Sequence, residues 1–176
     1  MRGCLLGCGC LTLLLTAALG LVVVGAAALF YPYYRAGKEV AAAGCPQQPP
    51  AQAPLGQAVC PAQIAGLEFT GGRSYRVKGI RPGEPTGLFH RERDTALVVG
   101  FSYRSDHAIT LQASFVALRD GRVTPVRDVG KEELKGATRG VKFHASALPV
   151  APGRYAYLLQ PASGSSVVFL LPFEVR

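Results

Sequence analysis

Hydrophobic and polar positions divide the chain into zones of different period. Cys4 to Phe30 reads CLLGCGCLTLLLTAALGLVVVGAAALF, with no charged residue and no proline. As a helix rising about 1.5 Å per residue, this run reaches roughly 40 Å, ample for a ~30 Å hydrocarbon core. Backbone groups in lipid must pair internally, so the run predicts one spanning helix. Tyr31, Tyr33 and Tyr34 mark its exit, since their rings favour the headgroup layer, and Pro32 predicts its end or a kink.

From Ile64 the period changes to two. Leu97, Val99, Phe101 and Tyr103 alternate with mostly smaller or polar residues, as do Ile109, Leu111, Ala113 and Phe115. Val141, Phe143, Ala145 and Ala147 alternate with Lys142, His144 and Ser146. Such alternation predicts strands with the apolar row on a core and the other row, His144 included, in water. Further strands are expected at 74–80, 122–126, 154–160 and 167–175. Arg119-Asp120-Gly121-Arg122 is a hairpin signal, because Asp-Gly accepts positive φ. Pro125 and Pro172 cannot donate to a ladder, which places their segments at edges or bulges. Residues 129–136 suggest a single helical turn.

Between these zones the chain is dense in Pro, Gln and Ala, including Pro46-Gln47-Gln48-Pro49-Pro50. This composition reads as an extended, partly polyproline spacer. The resulting division is 1–35 anchor, 36–63 linker and 64–176 extracytoplasmic domain. Cys45 and Cys60 lie in the spacer, each followed by proline. Outside the cytoplasm two such thiols are expected to form a disulfide. Free or intermolecular thiols, or a metal site, are the alternatives.

About seven short strands in roughly 110 residues predict an all-β domain, an antiparallel β-sandwich behind one transmembrane helix. Leu148-Pro149-Val150-Ala151-Pro152-Gly153-Arg154-Tyr155 resembles the corner before the penultimate strand of immunoglobulin-like and fibronectin type III-like domains. The resemblance implies a tyrosine corner built on Leu148, Pro152, Gly153 and Tyr155, with the phenol bonding back to the main chain. The core Trp and intersheet cysteine pair of antibody domains are absent, since the sequence has no Trp.

The N-terminus admits three readings. A cleaved signal peptide would end near Ala28, but its apolar core is usually about 7–15 residues, far shorter than this run. Leu5-Leu6-Gly7-Cys8 resembles a lipobox, yet here the apolar region follows the cysteine. An uncleaved signal anchor is the expectation, with the large C-terminal part outside the cytoplasm. Cys4, Cys8, Thr12, Thr16 and Gly20 recur every fourth residue, a small-residue face of the kind that lets membrane helices pack closely. A chance pattern in a segment rich in Gly, Ala and Thr is the simpler reading. Palmitoylation of Cys4, Cys8 or Cys10 enters only for a eukaryotic source.

Charge and chemistry change this picture little. Net charge is +8 over 176 residues, which suits an anionic lipid or wall-polymer surface as well as plain solubility. No basic run marks a nucleic-acid arm. No nucleophile elbow, phosphate loop, zinc-protease or dinucleotide motif is present, and no cofactor is implied. His90-Arg91-Glu92-Arg93-Asp94 is the most polar cluster, in which His90, Glu92 and Asp94 share a face if extended and suit a cation. An exposed charged loop is the simpler reading. The irregular Arg81–Gly87 segment is a second place to look. The expectation is a single-pass cell-membrane protein with a non-enzymatic binding module for an envelope protein or anionic envelope polymer. The alternatives are an envelope metal-handling protein or enzyme using His90–Asp94, and a spacer or assembly subunit acting through its membrane helix.

Overall fold

The computed structural model describes residues 4–49, 53–79, 81–119, 122–162, 164 and 166–176, with side chains from Leu15 onward. The chain divides into two units, Met1–Arg35 and Ala36–Arg176. Helix α1 spans Cys4–Ala42, and its stretch Leu15–Ala42 is long and apolar enough to cross a membrane. Leu15, Leu19, Val22 and Phe30 are each more than half exposed. The helix does not end at Pro32, as its missing N–H suggested, but runs on to Ala42. The residues that carry it on are held by packing within the second unit. Ala36 and Val40, one helical turn apart, are both buried there.

The second unit is β-rich. Its strands are β1 (Leu67–Lys78), β2 (Arg81–Pro85), β3 (Leu88–Phe89), β4 (Ala96–Ser105), β5 (Ile109–Arg119), β6 (Arg122–Leu134), β7 (Thr138–Ala147), β8 (Gly153–Pro161) and β9 (Phe169–Val175). They form a four-stranded sheet in the order β2-β1-β4-β7 and a five-stranded sheet in the order β3-β9-β8-β5-β6. Every pairing is antiparallel except β3 with β9. Aromatic rings from both sheets fill the space between them, with Phe69, Phe101 and Phe169 in mutual contact beside Phe115, Tyr157 and Phe173. Arg119 pairs with Arg122 across the expected hairpin, whose Asp120 and Gly121 lie outside the described residues. Pro125 sits on the edge strand β6 beside a register shift. Residues 129–134 continue β6 instead of turning into a helix, because 130–134 pair with 109–113 of β5.

The face assignment of β7 is reversed from expectation. Val99 faces His144 and Phe101 faces Lys142, so the polar row of β7 lies on the inner side with the core row of β4. The apolar row of Val141, Phe143 and Ala145 lies on the outer side, opposite Ser102, Gly100 and Val98. The last turns of α1 cover that outer side. Ala36, Val40, Tyr75 and Val98 form a buried cluster with Val77 and Phe143 against it. Tyr75 donates its hydroxyl to the Ala36 carbonyl at 3.1 Å. Gly71 and Gly100 provide the seat, since a Cβ at Gly100 would lie 2.8 Å from both Val40 and Phe143.

Residues 36–63 are therefore part of the body, and the separate spacer is corrected. Ala53, Ala58, Val59 and Cys60 are buried. Val59 exchanges backbone bonds with Leu170 of β9, while Ala58 N–H donates to Gly72 O and Ser74 N–H to Gly56 O on β1. This short segment stitches the two sheets along one open side. Its small residues fit because the approach is tight, and a Cβ on Gly72 would lie 2.6 Å from both Ala58 and Phe169.

Filling the seat tests the packing. Gly100→Val forces side chains into Val40 and Phe143, and overpacking of this kind costs about 1–3 kcal/mol. A lower denaturation midpoint with unchanged slope is expected, whereas Val150→Ala, at a side chain 79% exposed, leaves the midpoint in place.

Candidate functional site

Along the other open side the edges β6 and β7 face each other without a ladder, and polar side chains close the gap. Glu132 of β6 is buried and reaches two groups on the inner row of β7. His144 Nδ1 lies 2.5 Å from its Oε1 and Lys142 Nζ lies 3.2 Å from its Oε2. Further along, Arg127 of β6 donates to Ser146 Oγ at 2.8 Å and to the Ala147 carbonyl at 2.7 Å, with its guanidinium 5.1 Å above the Phe115 ring.

Electrostatics follow from this burial. Desolvation alone would push the Glu132 carboxyl up, but the hydrogen bonds and charges of His144 and Lys142 outweigh it and hold the group below its ordinary range. As an ionised acceptor, Glu132 requires the proton on His144 Nδ1. Tyr157 lies beneath, its ring 5.8 Å from that of His144. Burial first, then the charge and proximity of Glu132, pushes the Tyr157 phenol up and keeps it neutral. Its hydroxyl is buried without a well-formed hydrogen bond. Imidazole and ammonium are thus both committed to the one carboxylate, an arrangement that fastens two edges.

The other predicted residues are placed as follows. Cys45 and Cys60 are disulfide-bonded with Cα atoms 5.5 Å apart. Tyr155 donates its hydroxyl to the Ala151 carbonyl at 2.8 Å, Leu148 is buried, and Pro152 and Gly153 make the turn between them. Thr16 and Gly20 are exposed on α1, while the Cys8 and Thr12 side chains lie outside those described. His90, Glu92 and Asp94 do not converge. The Asp94 carboxylate accepts from the His90 backbone N–H at 2.8 Å and pairs with Arg76 at 3.5 Å, so it closes a turn. Among the described residues no group of three His, Cys, Asp or Glu is placed to hold a metal ion. The 81–87 segment supplies strand β2, and Thr86 bonds both ways with Leu88. A shallow cleft of about 80 Å³ lies beside the disulfide, lined by Cys45, Cys60, Ile64 and Phe69. Glu132 and its partners were missed. Their signal was Lys142 and His144 on one row of a strand, a short turn after an acidic edge.

No family model matches the chain, and no curated protein matches it. Solved structures show a partial likeness. A β-glucosidase from Kluyveromyces marxianus matches at 14% identity and a TM-score of 0.38, covering 47% of this chain and 13% of that one. A β-glucosidase from Erythrobacter marinus matches at 12% and 0.42, covering 62% and 15%. A β-glucosidase from Listeria innocua in complex with glucose matches at 12% and 0.38, covering 62% and 16%. The chain thus spans less than a fifth of the length of each, and a likeness of this size carries no argument about activity.

Acid should loosen the β6–β7 closure. Because the Glu132 carboxyl is lowered in the folded state, its contribution is complete above the unfolded-chain value of about 4.3 and drains as pH falls below it. Glu132→Gln is expected to cost about 2 kcal/mol at neutral pH and to flatten the acid limb of a stability-against-pH curve. The disulfide closes a loop of sequence separation 15, which the chain-entropy model values at about 3 kcal/mol. Thiol reduction should lower the denaturation midpoint accordingly and open residues 53–60 to hydrogen exchange before the strands.

Proposed function

We propose that this is a single-pass membrane protein whose immunoglobulin-like body is a non-enzymatic binding module outside the cytoplasm, for an envelope protein or an anionic envelope polymer. The observation that carries the reading is the bare apolar surface of α1. Leu15, Leu19, Leu21 and Val24 are each more than 60% exposed, and lipid is the environment that removes such a surface from water. A bonded Cys45–Cys60 pair suits an oxidising compartment. The Tyr155 corner supports an immunoglobulin-like body.

Binding at the surface is favoured over catalysis. Small-molecule sites enclose about 300–1,000 Å³, and the cleft beside the disulfide holds about 80 Å³. The buried Glu132 carboxylate at the β6–β7 edge is held by His144 and Lys142.

Carbonate-washed membranes from cells making the full chain should retain it at unprocessed mass. A photo-crosslinker in place of the exposed Val126 should trap a discrete species in those membranes. Full-length protein in the washed supernatant would overturn the anchor, and a body that yields no adduct from Val126 or Val123 would overturn the binding role.

A further inference from the structure

Several basic residues that look scattered along the sequence lie at one end of the body. The register sets that end. Lys78 pairs with Arg81, β4 begins at Ala96, β7 stops at Ala147, Arg119 pairs with Arg122, and Gly153 pairs with Val175. Leu148 N–H donates to Thr95 O, and Arg91 N–H to Arg176 O, tying these loops together. Lys78, Arg91, Arg93, Arg119 and Arg122 are all exposed there, and among the described residues none of them makes an ion pair. Of the acidic residues at this end, Asp94 is held by Arg76 and the His90 backbone, Glu174 by Arg176, and the exposed Glu84 lies 4.0 Å from Arg76. Glu92 is exposed, and Asp120 lies outside the described residues. Val150, 79% exposed, stands in the 148–152 loop at the same end. The opposite end is mixed, with Glu68, Asp106 and Glu133 beside Arg104, Lys135 and Arg139.

The chain also enters the body near this end. Ala36 bonds Tyr75, which pairs with Val98 close to the start of β4, and Val40 lies deeper, against Gly71 and Gly100. One residue separates Ala36 from the Tyr33-Tyr34 pair that closes the apolar run.

We propose that this basic end is a docking surface for anionic phospholipid headgroups of the bilayer that holds α1. Exposed Lys and Arg side chains without an ion pair among the described residues, with a bare valine at the same end, have the chemistry of a headgroup contact, in which each cation contributes through the surface potential. The proposal rests on the membrane reading above, because the lipid it names is that of the bilayer that would hold α1.

The test uses the full chain in nanodiscs of neutral phosphatidylcholine, or of the same lipid with phosphatidylglycerol, read by hydrogen exchange. Amides of 90–95 and 148–152 should exchange more slowly in the anionic discs, and the difference should vanish near 1 M salt, where the Debye length is about 3 Å. Combined Arg91→Glu, Arg93→Glu, Arg119→Glu and Arg122→Glu should abolish the difference while strands β4 and β8 stay protected. Equal exchange in both discs would overturn the docking surface and leave the anchor standing. Protection in neutral discs by added soluble polyphosphate, with none from phosphatidylglycerol, would likewise overturn the lipid assignment. Failure of the chain to enter discs of either kind would overturn both readings.

Discussion

The body depends on covering the outer face of the four-stranded sheet. Strand β4 is buried on both sides, with Leu97, Val99 and Phe101 toward the aromatic core and Val98 toward the helix. An antiparallel sheet can leave one face to water only if that face is polar. Here it carries Tyr75, Val77, Val98 and Phe143, and the last turns of α1 supply the missing layer. Gly71 and Gly100 let the helix backbone approach, and the buried Tyr75 hydroxyl finds its acceptor on Ala36. The end of the long apolar helix is thereby a core element of the folded unit.

A two-sheet body also has open sides, and the two here are closed by different means. Residues 56–59 bond to β9 and β1 through the main chain, so that side depends on small residues and a close approach. The β6–β7 side is closed by side chains alone, Glu132 with His144 and Lys142, and Arg127 with Ser146 and Ala147. Main-chain stitching is indifferent to pH, whereas the carboxylate clasp responds to it. Removing one member of a buried ionic group leaves its partners uncompensated, so the second side is the more fragile under acid.

The β-rich class, the long apolar helix and most strand positions were legible because alternation survives without tertiary context. Two things were not. Period-two alternation in 141–147 shows that the two rows of side chains differ, but not which row faces the aromatic core. The apolar row went to the helix and the polar row to the inner gap, because a second apolar layer and a buried carboxylate were both available. The segment 36–63 misled for a related reason. Prolines and glutamines signal an extended chain, but the segment turns at 54–57 and then bonds to β1 and β9, with Ala53, Ala58 and Val59 buried as an edge that closes the body.

Charge shows the same limit from another direction. His90-Arg91-Glu92-Arg93-Asp94 read alone is an alternating loop with a candidate cation grip. In the fold its Asp94 turns inward to close the turn and meet Arg76, leaving Arg91 and Arg93 outside with Lys78 at the end of β1 and with Arg119 and Arg122 of the β5–β6 hairpin. Withdrawing one carboxylate to the interior inverts the cluster's character, from acidic ligands to exposed cations. A surface built this way has no local signature, because its members share only the end of the body at which their strands stop. Register, rather than motif, decides its chemistry.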